Sequence, residues 1–114
     1  MILLQPWKWQ KGEEAEKLRL ALAEHFQADV TLFASGREAL LALLQSMNVG
    51  KGDEVILPDL TIISCAFAIL YTGATPIVVD VDPKLGNIDP AKIETKITKR
   101  TKAIMTVHLY GHPA

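Results

Sequence analysis

Apolar positions alternate between two periods along this chain. Ala15, Leu18, Leu22 and Phe26 recur at spacings of three or four with charges between them, the signature of an amphipathic helix from Gly12 to Phe26. Val30 to Phe33 is a short strand candidate. Beyond Ser35-Gly36 the helical spacing returns at Leu40, Leu43, Leu44 and Met47 and stops at Asn48 and Gly50, residues suited to a helix end. Gly50 to Asp53 reads as a turn. Glu54 to Leu57 reads as a β-rich strand ended by Pro58. Thr61 is placed to cap a helix running through Tyr71 and stopping at Gly73, and Pro76 to Val81 is the next strand. Asp89-Pro90 puts a capping side chain before a first-turn proline, which predicts a helix to about Ile97. Ala103 to Leu109 completes the pattern as an unbroken apolar strand.

Strand and helix therefore alternate, and the later strands are apolar on both faces. That order predicts an α/β fold, a mainly parallel sheet covered by helices. Ligands on such sheets gather at the carboxyl ends of the strands. The segments to watch are thus Ser35-Gly36, Pro58 to Ile62, Asp80 to Asp82, and His108 to His112.

Length and composition narrow the function. The chain has 114 residues, 49% of them hydrophobic, and a formal charge of −1. This suffices for one domain with a core (1–10 an arm, 11–114 the α/β body) and argues against disorder and against a general attraction to nucleic acid or anionic membrane. No run reaches the ~20 apolar residues of a membrane span, and the start lacks a basic, then apolar, leader pattern. A cytoplasmic protein with a small-molecule partner is the expectation. The single cysteine, Cys65, lies in the apolar run TIISCAFAIL and reads as a buried core thiol. Trp7 and Trp9 either anchor the arm or meet a partner subunit.

Each candidate site has a structural reading beside the chemical one. Ser35-Gly36 lies where a strand gives way to a helix, so its free N–H groups suit an anion; equally, glycine there serves only a permissive backbone. It matches neither the Gly-Lys-Ser/Thr phosphate loop nor the three-glycine dinucleotide fingerprint. Asp80 and Asp82 in VVDVD share a strand face, as a Mg²⁺ pair would, but they also lead into the turn DPKLGN. No metal is expected there. His108 and His112 lack a third ligand at sensible spacing, which favours hydrogen-bonded strand-end histidines over a metal site.

The order of the motifs says more than any one of them. SGREALLALL, then GDEVILP, GATPIVVDVD, IDP and VHLYG resemble, as a set and in sequence, the DegT/DnrJ/StrS family of pyridoxal-phosphate-dependent sugar aminotransferases. The resemblance runs from about Leu32 to Ala114. It implies part of the large domain of the type I aminotransferase fold, in a full-length protein that is a homodimer. The implied activity is transfer of an amino group from an amino acid, commonly glutamate, to a keto nucleotide-sugar in polysaccharide or glycoside biosynthesis. By the same resemblance Gly36, Arg37 and Glu38 cradle the phosphate of pyridoxal 5'-phosphate, Ile62 takes the place of an aromatic that stacks on the ring, and His108 lies near the active site. Arg37 stands where most members carry Thr, and Phe67 where Asn is common. No lysine here sits in a motif resembling the Schiff-base lysine, and the acid that protonates the ring nitrogen is not present either. The chain alone is expected to be inactive; the competing expectation is a non-catalytic α/β module that associates through its sheet edge.

Overall fold

The computed structural model describes residues 12–114, so the expected arm with Trp7 and Trp9 lies outside the described residues. The chain divides into two units, Met1–Ala34 and Ser35–Ala114. In the first, helix α1 spans Glu13–Phe26, with Glu13, Glu14 and Glu16 in its first turn, where the helix dipole favours acids. Arg19 donates to Glu16 at 2.7 Å and Lys17 to Glu14 at 3.2 Å, and Gln27 ends the helix in the left-handed region at φ 51°. The predicted strand at Val30–Phe33 does not form. Strand-like composition makes a strand only where a ladder partner lies alongside, and this segment has none among the described residues.

The second unit holds helix α2 (Gly36–Ser46), strand β1 (Glu54–Pro58), helix α3 (Ile63–Thr72), strand β2 (Thr75–Val79), a one-turn helix α4 (Pro90–Ile93) and strand β3 (Thr101–Ile104). The three strands form a parallel sheet in the order β2-β1-β3, with Ile56 opposite Ile77 on one side and Ile104 on the other. Every residue of β1 is buried. Because side chains alternate across a strand, Val55 and Leu57 join Leu44, Cys65, Ala68 and Ile69 in one core layer, while Ile56 meets Val79 and Ile88 in another. Cys65 is the buried free thiol that its apolar run predicts. α2 packs against α3, and an apolar groove of about 250 Å³ runs between α2 and β3 past Leu43, Met47 and Ile104.

Element ends depart from the sequence pattern for local reasons. Pro58 belongs to β1. β2 stops at Val79, and Val81 forms an isolated antiparallel bridge with Ile88. The helix begun by Asp89, whose carboxylate accepts from Ala91 N–H at 3.0 Å, tightens after Ile93 into a 3-10 turn, Glu94–Lys96. Within that turn Thr95 donates to the Lys92 carbonyl at 2.8 Å. β3 starts two residues before the predicted Ala103 and ends at Ile104, and the tail of the expected run, Leu109–Gly111, is a 3-10 turn.

The amino end of the sheet is locked by one carboxylate. Glu54, buried, accepts from Thr98 Oγ1 and from the Arg100 guanidinium, and the Glu54 N–H donates to the Arg100 carbonyl at 2.8 Å. The Thr98 hydroxyl foremost, and then the Arg100 guanidinium, hold the carboxyl below its ordinary value, against the opposing effect of desolvation.

Candidate functional site

The strand order reverses at β1: the chain passes from β1 to β2 on one side and returns to β3 on the other. Crevices at such reversals, outside the carboxyl ends of the strands, are where parallel sheets hold ligands. A cavity of about 390 Å³ opens where α2 and α3 begin, lined by Ser35, Gly36, Arg37, Leu40, Ile62 and Ser64.

Its first wall is the start of α2. Ser35 is extended (φ −151°, ψ 155°) and its hydroxyl oxygen accepts from the Glu38 N–H at 3.3 Å, while its carbonyl accepts from Ala39 at 3.1 Å. This is an ordinary N-cap. It satisfies Glu38 and Ala39 and leaves the Gly36 and Arg37 N–H groups without partners among the described residues. Gly36 is not in the left-handed region, and a Cβ built there would meet nothing within 4 Å. Neither backbone angle nor internal packing calls for glycine at this position, and the space a side chain would take is left open. Arg37 is exposed and has no ion pair or side-chain hydrogen bond among the described residues.

The second wall comes from the start of α3. Thr61, expected to cap this helix, does not: the N-cap is Ile62 (φ −69°, ψ 132°), which has no capping side chain, and Thr61 Oγ1 is buried without a partner. The cap falls one residue late because Ile62 is the last extended position. Ile62 is 63% exposed at the cavity, a large aliphatic surface left in the open.

Gly36 and Arg37 from the start of α2 and Ile62 from the start of α3, distant in sequence, are thus brought together. Glu38 is not in the cavity lining, and its amide is spent on Ser35. His108 is not in the lining either; its Nδ1 accepts from the Ala114 N–H at 2.9 Å. Phe67 lies further along α3 and stacks on Tyr71 with centroids 6.0 Å apart. Leu40 and Ser64 line the cavity and were missed in the sequence. Ser64 was findable: it lies two residues beyond Ile62, at the start of a helix that follows a strand end, where parallel sheets gather ligands.

The other strand-end candidates are engaged elsewhere. Asp80 pairs with Lys92 at 3.1 Å, and Asp82 accepts from the Lys84 and Leu85 N–H groups at 2.7 and 3.2 Å, closing a turn. His112 Nδ1 lies 3.1 Å from Asn87 Nδ2, which also donates to the Pro113 carbonyl at 2.6 Å. Among the described residues no three acidic, histidine or cysteine side chains gather as a metal would need, and no helix is long and apolar enough to cross a membrane.

Known proteins share this arrangement of elements. The GDP-perosamine synthase of Escherichia coli O157:H7 is 47% identical over 109 residues, 94% of this chain and 30% of the synthase. The dTDP-3-amino-3,6-dideoxy-alpha-D-galactopyranose transaminase of Aneurinibacillus thermoaerophilus is 54% identical over 78 residues, 68% of this chain and 22% of that protein. Among solved structures, NtdA of Bacillus subtilis with bound cofactor PMP superposes with a TM-score of 0.78 at 35% identity, over 87% of this chain and 23% of NtdA. The chain therefore spans less than a third of the length of these relatives. Residues 2–114 match the model of the DegT/DnrJ/EryC1/StrS aminotransferase family, and with the parallel sheet and its strand-end cavity in place, the chain belongs to that family.

Proposed function

We propose that this chain supplies the phosphate end of a pyridoxal 5'-phosphate site in an aminotransferase that moves an amino group from an amino acid, glutamate foremost, to a keto nucleotide-sugar. The observation that carries the reading is the convergence of Gly36, Arg37 and Ile62 on one cavity at the start of α2. The fit is chemical. Two unpaired N–H groups at a helix N-terminus suit a phosphate dianion, the missing Cβ of Gly36 leaves room for it, and the Arg37 guanidinium can add a bidentate contact. Leu40 and Ile62 offer aliphatic surface to a flat ring and exclude water from it. The cofactor, when bound, supplies an electron sink for amino-group chemistry. The relatives' nucleotide-sugar names support the substrate class. In its full-length form the protein is read as a cytoplasmic homodimer, on the family resemblance.

Among the described residues no lysine lines the cavity, so the chain alone binds the cofactor through its phosphate without joining it covalently. Titration of the purified chain with pyridoxal 5'-phosphate, followed by amide NMR, should shift Gly36 and Arg37 saturably, and borohydride should trap no stoichiometric lysine adduct. Unmoved amides at Gly36 and Arg37 would overturn the phosphate reading; a single trapped lysine with transamination would overturn the inactivity of the isolated chain.

A further inference from the structure

We propose that Ser64 is a specificity-determining contact of this cavity, a second hydrogen-bonding anchor for phosphate that faces the α2 amides from the start of α3. The inference rests on the reading of the cavity as a phosphate site. Three observations carry it. Ser64 lines the same 390 Å³ cavity as Gly36 and Arg37. Its hydroxyl has no hydrogen-bond partner among the described residues and is not sealed in the core, so it is free to meet a ligand in the cavity. Ile62 brings no capping oxygen to α3, so nothing in the described structure competes for the serine's hydrogen bonds, in contrast to Ser35 at the opposite wall.

The consequence is a division of labour around the ligand. Leu40 and Ile62 form an apolar strip that accepts a ring with or without a phosphate. Ser64, donating from its hydroxyl while Gly36 and Arg37 donate from the main chain, makes the cavity prefer the phosphorylated ligand.

The test compares the unaltered chain with Ser64→Ala and Ser64→Thr, each titrated with pyridoxal 5'-phosphate, pyridoxal and inorganic phosphate. A hydrogen bond to a charged group is worth enough that Ser64→Ala should weaken pyridoxal 5'-phosphate and inorganic phosphate about tenfold. Pyridoxal affinity should not change, and Ser64→Thr should restore phosphate binding to within about twofold. Urea unfolding guards against a folding defect, because alanine is at least as good a helix former. If Ser64→Ala binds pyridoxal 5'-phosphate like the unaltered chain while Gly36 and Arg37 still shift, the Ser64 assignment fails and the phosphate site stands. Equal weakening of pyridoxal and its phosphate also defeats the assignment. If Gly36 and Arg37 fail to shift in the unaltered chain, the phosphate site itself is wrong.

Discussion

The two ends of the sheet use polar groups in opposite ways. At the amino end of β1, Glu54 is enclosed and every oxygen is engaged, by Thr98 at 2.5 Å and by Arg100 at 2.5 and 2.9 Å. At the carboxyl end, the first amides of α2 and the Ser64 hydroxyl are without partners among the described residues, and an aliphatic side chain stands exposed beside them. Polar groups that only hold a fold are satisfied from within. Groups left open at a cavity are available to water or to a ligand. The expectation for substitutions is that changes at the amino end cost stability and spare binding, and changes to the open groups at the carboxyl end do the reverse.

The largest loss is expected from Glu54→Gln. It removes the charge that faces Arg100, and urea unfolding at neutral pH should show a lower midpoint than any other substitution discussed, with cofactor affinity of the folded fraction unchanged. The pH dependence follows from the sign of the shift. The Glu54 carboxyl is held below its ordinary value of 4.5 by Thr98 first and Arg100 next. Its contribution is therefore fully present above that value and is lost as pH falls through the lower, folded-state value. Stability of the unaltered chain should fall more steeply across that acid window than stability of Glu54→Gln. Parallel curves would mean that the locked end is not held by this charge.

Gly36→Ala sharpens the contrast from the other side. A methyl group there meets no protein atom, and alanine is the better helix former, so stability should stay level or rise by about 0.4–1 kcal/mol. Pyridoxal 5'-phosphate affinity should fall about tenfold or more, since the methyl group enters the space facing the ligand. A variant that is both less stable and fully competent to bind would invert the comparison.

Ser35→Ala is the smallest change and the one that straddles both ends of the argument. Loss of the cap should cost about 1 kcal/mol, read by urea unfolding. It also releases the Glu38 N–H, now bound at 3.3 Å, into the set of open amides. Phosphate affinity should then change by no more than about threefold, the lost order of the turn offsetting the added donor.

How legible was this in the sequence? α1 and α2 were, because a helix declares itself by a period that few other structures share. β1 was as well, bounded by a glycine turn and a proline. Val30–Phe33 and Ala103–Leu109 were overread for one reason: β-branched and apolar residues suit a strand, whereas a strand requires a neighbour at the right register, and that information is not local. Thr61 illustrates the same limit on a smaller scale. A threonine near a helix start resembles a cap, but the last extended residue decides which position is the cap, and here that is Ile62. Gly36, Arg37 and Ile62 were reached through a family resemblance. Their meeting in one cavity, and the presence of Leu40 and Ser64 beside them, depended on how α2 and α3 pack.

The pairing of β1 with its two neighbours also has a kinetic meaning. β1, α3 and β2 follow one another closely, so their assembly closes only a short loop. The Glu54–Arg100 contact joins residues 46 apart, and the β1–β3 ladder pairs Glu54 with Thr101 and Ile56 with Ile104, at least as distant. Because loop-closure entropy must be met before distant contacts repay it, β1–α3–β2 is the economical nucleus and β3 the late arrival. On that order Glu54 is expected to act as a latch closed after the folding barrier, so that Glu54→Gln should speed unfolding more than it slows folding in stopped-flow measurements.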